Sequence, residues 1–299
     1  MEEIFADGRR VEIIRPDKII WEVENIKKID YIRYLLDVSP YLLEHAKDRL
    51  LMIWVYPHGI HSKKIEKRSV PVSAPDWVSS TFYKGKQRIL LNDKATLIWA
   101  ANYGAIEFHI PFDRYDMPDH PMEMVFDLDP PDHKSFDLVL EVSIRLKQVL
   151  ESLGLVSVPR TSGSSGMQIF VPIHRGYTFK ETRRINTFVA HYFAEQLPQK
   201  ITLERPVSKR GNKLYFDYLQ LWSGRTMPAV YSARANSKAN VAAPLTWAEV
   251  EAGVKPSDFN ILNMKKRIQE KGDLFQSITT GKSNQSLHDI LRFIEKKHI

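Results

Sequence analysis

Two aspartates separated by one residue end an apolar run in this 299-residue chain. The run reads MVFDLDPP from position 124, and its acids are Asp127 and Asp129. Residues i and i+2 point to the same face of a β-strand, so Phe126 and Leu128 should face a core and the carboxylates the opposite side. Like charges about 6–7 Å apart repel, and a divalent metal would neutralise both. A strand end whose carboxylates cap the following turn explains these residues equally well.

A third aspartate, Asp217, lies in the apolar and aromatic segment KLYFDYL. Its charge is costly to bury without a partner. Arg210 or Lys213 could neutralise it as a structural ion pair, or it could complete a three-carboxylate cluster with the first two aspartates. Three carboxylates suit two hard divalent ions, Mg²⁺ or Mn²⁺, which is the arrangement for in-line nucleotidyl transfer. Spacing along the chain leaves both interpretations open.

Small residues form the segment SGSSG at positions 162–166. Backbone N–H groups and serine hydroxyls in such a loop can hold phosphate oxygens. The segment lacks the Gly-Lys-Ser/Thr of a P-loop, so an ordinary turn is the alternative. His109 lies on the same strand face as Glu107 and, taken alone, is more typical of a structural histidine. Six cations near these segments are expected to contact triphosphate or nucleic-acid phosphates: Arg160, Arg205, Lys209, Arg210, Arg225 and Arg234.

Composition narrows the function classes. The chain contains no cysteine, which excludes disulfides, zinc-thiolate sites and thiol nucleophiles. Hydrophobic residues make up 43% and charged residues 26%, as is ordinary for a soluble enzyme. Neither a secretory leader nor an apolar run of membrane-spanning length is visible, so a cytoplasmic location is expected. The formal charge of +7 favours a polyanionic partner without proving one.

The order strand, helix, strand, helix, strand after position 120 predicts an α/β or α+β core. Periodicity predicts one helix over residues 30–51 with a break at Pro40, and another that starts with the capping box of Thr178 and Glu181. Residues 1–275 are expected to form one catalytic domain. Residues 276–299 are expected to form a polar linker followed by a short amphipathic helix.

Together the motifs resemble those of the polymerase domain of bacterial DNA ligase D, a member of the archaeo-eukaryotic primase superfamily. The resemblance covers about positions 14–275. It is carried by RPDK from 15, YPHGI from 56, APDW from 74, NDKATL from 92, NYGAIEFH from 102, DLDP from 127, the segment SGSSG, FDYLQ from 216 and SARA from 232.

The resemblance implies a primase-polymerase core with an RRM-like sheet packed against a second α/β module. It implies that Asp127, Asp129 and Asp217 are the catalytic, metal-binding aspartates. Lys18 and Lys28 match a pair that recognises the 5′-phosphate of a gapped or broken end. Positions assigned to the incoming nucleotide are His109, Ser162, Ser164, Ser165, Gln168, Arg210, Gln220 and Arg234.

The activity implied is template-dependent nucleotidyl transfer that fills gaps and extends ends during non-homologous end joining, with two Mn²⁺ or Mg²⁺ ions and a preference for ribonucleotides. DNA, nucleoside triphosphates, Ku and a ligase are the implied partners, with no membrane, and the location would be cytoplasmic and nucleoid-associated. Two alternatives remain: a primase that starts chains without a primer, and a non-catalytic module that binds DNA ends. The chain shows no Lys-x-Asp-Gly motif of a ligase nucleophile.

The chain departs from this family at two positions. Many relatives carry Lys-Arg where Trp54 and Val55 precede Tyr56, so a basic contact is missing there. A histidine often follows the Ser/Gly segment where this chain has Gln168. Glutamine can donate a hydrogen bond to a phosphate but cannot become cationic.

Overall fold

A computed structural model describes residues 2–282 and 284–297 of the chain. Its contacts divide the chain into two compact units. The first comprises Met1–Asp116, Thr226–Ala242 and Ser257–Asp273, and the second comprises Met117–Arg225, Ala243–Pro256 and Leu274–Ile299. Among the described residues, no helix combines the length and the apolar character needed to span a membrane.

The first unit contains a four-stranded sheet in the order β15-β9-β5-β6 and three two-stranded ladders, β1-β2, β3-β4 and β7-β8. Helix α1 packs on α2 and on α6. The bounds are β1 Glu2–Ala6, β2 Arg9–Ile13, β3 Ile19–Trp21, β4 Ile26–Lys27, α1 Lys28–Ala46, β5 Met52–Val55, β6 Ile65–Lys67, β7 Ser80–Tyr83, β8 Lys86–Ile89, α2 Lys94–Asn102, β9 Ala105–Pro111, β15 Thr226–Pro228 and α6 Met264–Lys271.

The second unit contains a five-stranded sheet in the order β11-β12-β10-β14-β13, antiparallel except for the β13-β14 pair. Helices α3 and α4 pack on this sheet, and a 3₁₀ turn spans Val207–Lys209. The bounds are β10 Glu123–Asp129, α3 Phe136–Ser152, β11 Val158–Thr161, β12 Met167–Pro172, α4 Phe179–Gln196, β13 Ile201–Thr202, β14 Leu214–Asp217, α5 Trp247–Glu251, α7 Gln276–Thr279 and α8 His288–Lys296.

Strand β10 lies at the centre of the second sheet with one face in the core. Phe126 packs edge-on against Phe216 of β14, and Phe193 of α4 packs against the same ring. Phe126 and Leu128 are fully buried. Because side chains alternate along a strand, Asp127 and Asp129 face away from these aromatic rings. The predicted orientation of this strand is confirmed.

The predicted break at Pro40 is wrong, because α1 runs through this residue. Proline lacks the N–H that would bond to the carbonyl four residues earlier, here that of Leu36. The hydroxyl of Ser39 donates to that carbonyl at 2.8 Å. A neighbouring side chain therefore satisfies the acceptor that proline leaves unpaired, and the helix continues.

The C-terminal helix α8 packs on α4 within the second unit. Phe293 meets Phe188 edge-on, and Glu295 forms an ion pair with Arg184. The predicted capping box of Thr178 and Glu181 is present at the start of α4. Positions 283, 298 and 299 of the predicted C-terminal segment lie outside the described residues. The division of the chain at residue 275 stays a prediction.

Candidate active site

Three carboxylates meet on the face of the five-stranded sheet that lies opposite the aromatic core. Asp127 and Asp217 are direct partners in the pairing of β10 with β14, and Asp129 lies two residues further along β10. One ligand oxygen from each residue lies within 4.8 Å of the others. We call Asp127, Asp129 and Asp217 the carboxylate cluster. Pairing between strands brings Asp217 to acids that lie about 90 positions earlier in the sequence.

The carboxylate cluster brings three acids close together in a largely buried place, which makes their negative charges unfavourable. Burial raises the pKa of Asp127 well above its usual value, and the charges of Asp129 and Asp217 raise it further. Burial and the charge of Asp217 raise the pKa of Asp129 to about 6. Carboxylate oxygens are the ligands that hard divalent ions prefer. The donor set and its excess of negative charge therefore fit a divalent metal site.

The structure rejects the alternative in which Asp217 is neutralised as a structural ion pair. In the described part of the chain, Lys213 donates to the carbonyl of Pro198 and Arg210 to the carbonyls of Glu204 and Arg205. Asp217 instead accepts hydrogen bonds at 3.0 Å from the hydroxyl of Tyr215 and from the backbone N–H of Leu219. These donors are uncharged and hold the carboxylate in one orientation.

A row of polar side chains extends from the carboxylate cluster across the sheet. Register pairs Arg160 of β11 with Gln168 of β12, and Gln168 with Asp127. The guanidinium of Arg160 donates to Gln168 Oε1 at 3.3 Å, and Gln168 Nε2 donates to Asp127 Oδ1 at 3.0 Å. Gln168 is therefore held between a cation and a cluster aspartate.

The prediction that Arg160 contacts triphosphate or nucleic-acid phosphates is wrong, because the residue is buried. Its side chain is 1% exposed and lies over the rings of Phe170 and Phe275. From this position its charge lowers the pKa of Asp127, against the larger effect of burial. Arg160 is thus a buried counter-charge behind the carboxylate cluster. Of the predicted set, Arg205, Lys209, Arg210 and Arg225 are exposed or half-exposed, and the Arg234 side chain is 17% exposed.

The segment Ser162–Gly166, here called the Ser/Gly loop, is closed by its own hydrogen bonds. The Ser162 hydroxyl accepts from the backbone N–H groups of Ser164 and Gly166, both at 3.1 Å. A Cβ atom on Gly166 would lie 2.6 Å from the carbonyl oxygen of Leu128, so only glycine lets the loop lie this close to β10. Ser162 shapes the loop, whereas Ser164 and Ser165 remain half-exposed.

Two further predicted nucleotide contacts flank β14. Arg210 lies over the Tyr215 ring at 3.8 Å and lowers the pKa of Asp129, although burial outweighs this effect. Gln220 lies in the turn after β14, where its N–H donates to the carbonyl of Asp217. Arg183 of α4 donates to the carbonyls of Leu219 and Leu221 on either side of this glutamine.

His109 and Arg234 lie in the first unit, where they share one acid. Glu107 Oε2 lies 3.0 Å from His109 Nε2 and 3.0 Å from Arg234 Nε. Its other oxygen accepts from the hydroxyl of Tyr56 and the backbone N–H of Ala235. Burial alone would raise the pKa of Glu107, but these partners hold it below its usual value. Burial lowers the pKa of His109, so the ring is neutral at pH 7.

Lys18 and Lys28 meet in a second cluster of the first unit, at a cavity of about 290 Å³ that Arg15 also lines. We call it the basic pocket, and none of its described lining residues is acidic. Lys28 Nζ donates to the carbonyl of Ile14 at 2.6 Å, and Lys18 Nζ donates to the carbonyl of Pro57 at 2.9 Å. Burial lowers the pKa of Lys28, and the charges of Lys18 and Arg15 lower it further. Three cations without an acid favour an anionic ligand.

Several positioning residues carry only a weak signal in the sequence. Arg160 and Arg183 look like ordinary surface cations there, whereas the fold buries Arg160 against two rings and partly buries Arg183 against carbonyls. Glu107 is detectable only as an acid two residues from His109, since its contacts to Arg234 and Tyr56 join distant segments. Arg15 belongs to the motif RPDK, but only the pocket around it indicates that its charge lies beside Lys18 and Lys28.

Comparison with known proteins gives a consistent assignment. The family model described as "LigD, primase-polymerase domain" matches residues 27–275. The bifunctional non-homologous end joining protein LigD of Bacillus subtilis is 37% identical over 282 residues, covering 94% of this chain and 46% of that protein. The multifunctional LigD of Mycolicibacterium smegmatis is 27% identical and matches over 89% of this chain and 35% of its own length. The chain thus spans less than half the length of these relatives.

The fold agrees with this relationship. A solved structure described as the polymerase domain from Mycobacterium tuberculosis ligase D in complex with DNA superimposes with a TM-score of 0.83 at 26% identity. The match covers 91% of this chain and 98% of the other. The mixed helices and sheets are therefore those of a primase-polymerase core, and the chain belongs to the LigD primase-polymerase domain family.

Proposed function

We propose that this chain is a template-dependent nucleotidyltransferase that fills gaps and extends DNA ends in double-strand break repair by non-homologous end joining. The observation that carries the proposal is the carboxylate cluster, in a member of the LigD primase-polymerase domain family. A module that only binds DNA ends would have no use for three crowded carboxylates whose charges raise one another's energy. Similarity to a polymerase domain that is described in complex with DNA supports DNA as the template and primer.

Asp127, Asp129 and Asp217 are proposed to hold two Mg²⁺ or Mn²⁺ ions, which would activate the attacking 3′-hydroxyl and stabilise the charge that develops on the phosphate. The chain's own residues prepare this site. Tyr215 and the N–H of Leu219 orient Asp217, and Gln168 orients Asp127. Because these donors are uncharged, the cluster keeps the negative charge that attracts the cations.

Nucleotide contacts are proposed within each unit. In the second unit, Ser164 and Ser165 of the Ser/Gly loop, which Ser162 shapes, would bind phosphate oxygens, with Arg210, Gln168 and Gln220 as further contacts. In the first unit, neutral His109 and the Arg234 guanidinium are proposed contacts of a nucleotide. The basic pocket would take the 5′-phosphate on the far side of a gap. Ku and a DNA ligase would be partners of the repair reaction.

Asp217→Asn should abolish nucleotide addition. The change removes one charge from the cluster but keeps the hydrogen-bonding shape, so the fold and DNA binding should persist while activity falls about 100-fold or more. Primer extension on gapped DNA with Mn²⁺ or Mg²⁺ measures this, with circular dichroism to confirm folding. Asp137→Asn, an exposed aspartate at the start of α3, is the control. Full activity of Asp217→Asn would exclude the cluster as the catalytic centre.

Asp129→Asn should stabilise the metal-free protein at neutral pH. The pKa of Asp129 is about 6 in the folded protein, against 3.8 for an ordinary aspartate, so the folded state binds its proton more tightly than the unfolded chain does. The free energy of unfolding should therefore fall in the wild type, relative to the variant, as pH rises from about 4 to above 6. The difference should reach on the order of 1–3 kcal/mol.

Chemical denaturation with EDTA at several pH values measures that difference. Adding Mn²⁺ at pH 8 should stabilise the wild type much more than the variant, because the ion binds the deprotonated carboxylates. A constant difference across this pH range, or an equal effect of Mn²⁺ on both proteins, would contradict a metal site built on Asp129.

Ribonucleotides should be incorporated better than deoxyribonucleotides. The reason is a hydrogen bond to the 2′-hydroxyl, which is worth about 3- to 10-fold in kcat/KM. Steady-state incorporation of GTP against dGTP opposite a templating C measures the ratio. Equal use of the two nucleotides, or better use of dGTP, would refute the preference.

A gap with a downstream 5′-phosphate should bind more tightly than one that ends in a 5′-hydroxyl. A terminal phosphate carries about two negative charges, and a charge-assisted contact to the basic pocket should contribute on the order of tenfold in affinity. Fluorescence anisotropy with the two DNAs measures the ratio. Lys18→Ala with Lys28→Ala should erase it and leave the salt-sensitive binding to duplex DNA.

Lys28 is 7% exposed, so the double variant could lose stability. Arg15→Ala with Lys18→Ala spares this buried residue and should still lower the ratio severalfold. Lys47→Ala, an exposed lysine at the end of α1, should leave the ratio unchanged. An undiminished preference in the Arg15/Lys18 variant would show that the basic pocket does not read the phosphate.

A further inference from the structure

An ammonium group lies directly over an indole ring beside His109. Lys64 Nζ is 3.0 Å from the centre of the Trp54 ring, and the opposite neighbour of that ring is the His109 imidazole, stacked at 4.2 Å between centres. The three side chains therefore form a continuous stack. Neither Lys64 nor Trp54 has a role in the function proposed above.

Strand register explains why these groups meet. Trp54 of β5 pairs with Glu66 of β6 on one side and with Glu107 of β9 on the other. Lys64 lies two residues before Glu66, and His109 lies two residues after Glu107, so all five side chains belong to one face of the four-stranded sheet. The stack is thus set by the backbone pairing of three strands and not by a chance surface contact.

Lys64 is held by its acidic partner more loosely than Arg234 is on this face. The carboxylate of Glu107 cancels the guanidinium of Arg234, and burial keeps His109 uncharged. Glu66 lies 3.7 Å from Lys64 Nζ, and both side chains are more than 40% exposed, so this ion pair is weak and screened by solvent. The charges of Arg234 and Lys64 each lower the pKa of His109 further, which agrees with an ammonium close to the imidazole.

We propose that Lys64, held in place by the Trp54 ring, binds a phosphate of the nucleotide whose other contacts include His109 and Arg234. The inference rests on the proposed nucleotide binding by these two residues. A lysine on a flexible stem is costly to immobilise, and a cation–π contact reduces that cost before the ligand arrives. The ring occupies one side of the ammonium, and its remaining protons can donate to phosphate oxygens. Trp54 thereby acts as a support that positions a cation supplied by the next strand.

The test compares Lys64→Ala with Lys63→Ala, a neighbouring exposed lysine of equal charge. Isothermal titration with ATP and with inorganic tripolyphosphate measures phosphate binding independently of catalysis. Lys64→Ala should weaken both ligands about tenfold, Lys63→Ala should weaken neither by more than about twofold, and Lys64→Arg should keep most of the affinity. In gapped-DNA extension, Lys64→Ala should raise KM for the nucleotide about tenfold and change kcat little.

A role confined to stability would lower the Tm of Lys64→Ala and leave both affinities unchanged, which would overturn the proposal. Equal losses in Lys63→Ala and Lys64→Ala would also overturn it, because they would indicate general electrostatic attraction. Trp54→Leu should reproduce part of the Lys64→Ala effect, and unchanged ATP affinity in that variant would refute the supporting role of the ring. A wild-type protein that binds ATP through Lys64 yet adds no nucleotide would refute the proposed function and leave this inference standing.

Discussion

The antiparallel pairing of β10 with β14 is the constraint on which the candidate metal site depends. Its register sets Asp127 directly opposite Asp217, and a shift by one residue would turn one of these carboxylates into the aromatic core. Phe126 and Phe216 resist such a shift, because each would have to leave its packing on the opposite face. Packing on the apolar face of the sheet therefore fixes the register that keeps the carboxylates close together on the polar face.

Crowded carboxylates destabilise a fold unless hydrogen-bond donors or cations compensate their charge, and here the compensation is partial. Gln168 donates to Asp127, and Arg160 stands behind it as a buried cation. Burying a guanidinium is costly, and the faces of Phe170 and Phe275 reduce that cost. Burial and the remaining negative charge together still raise the pKa of Asp127 and of Asp129. An excess of negative charge of this kind is typical of a functional site that a bound ligand stabilises.

The first unit presents cations, whereas the second presents crowded carboxylates. In the basic pocket, Arg15, Lys18 and Lys28 share one cavity, and burial lowers the pKa of Lys28. On the four-stranded sheet, Glu107 neutralises Arg234, whereas the ion pair of Lys64 with Glu66 is long and exposed to solvent. Each arrangement leaves a cation available to an anion from solution, which is what phosphate-bearing substrates require. The departure at Trp54 therefore does not leave this face without a cation.

The sequence by itself determined the class of the core, the family and the residues that chemistry would need. Alternation around Asp127 predicted which face of the strand the carboxylates occupy, and the capping box at Thr178 predicted where a helix begins. The many motifs in matching order indicated the family. These features are local, since propensity, periodicity and side-chain chemistry act over a few residues. The same local reasoning predicted a break at Pro40, but the helix continues there and the Ser39 hydroxyl donates to the carbonyl that proline leaves unpaired.

Only the tertiary structure decided which of these residues meet. Nothing in the order of residues shows that Asp217 lies opposite Asp127, that Arg160 is buried, or that Lys64 lies over Trp54. Each contact joins separate strands, and strand register depends on the packing of whole sheets. In the structure, Arg160 is a buried counter-charge and not the expected phosphate contact. Lys64 lies over the Trp54 ring, a contact that its neighbours in the sequence do not predict. Long-range pairing, which no short pattern encodes, is the physical reason for both.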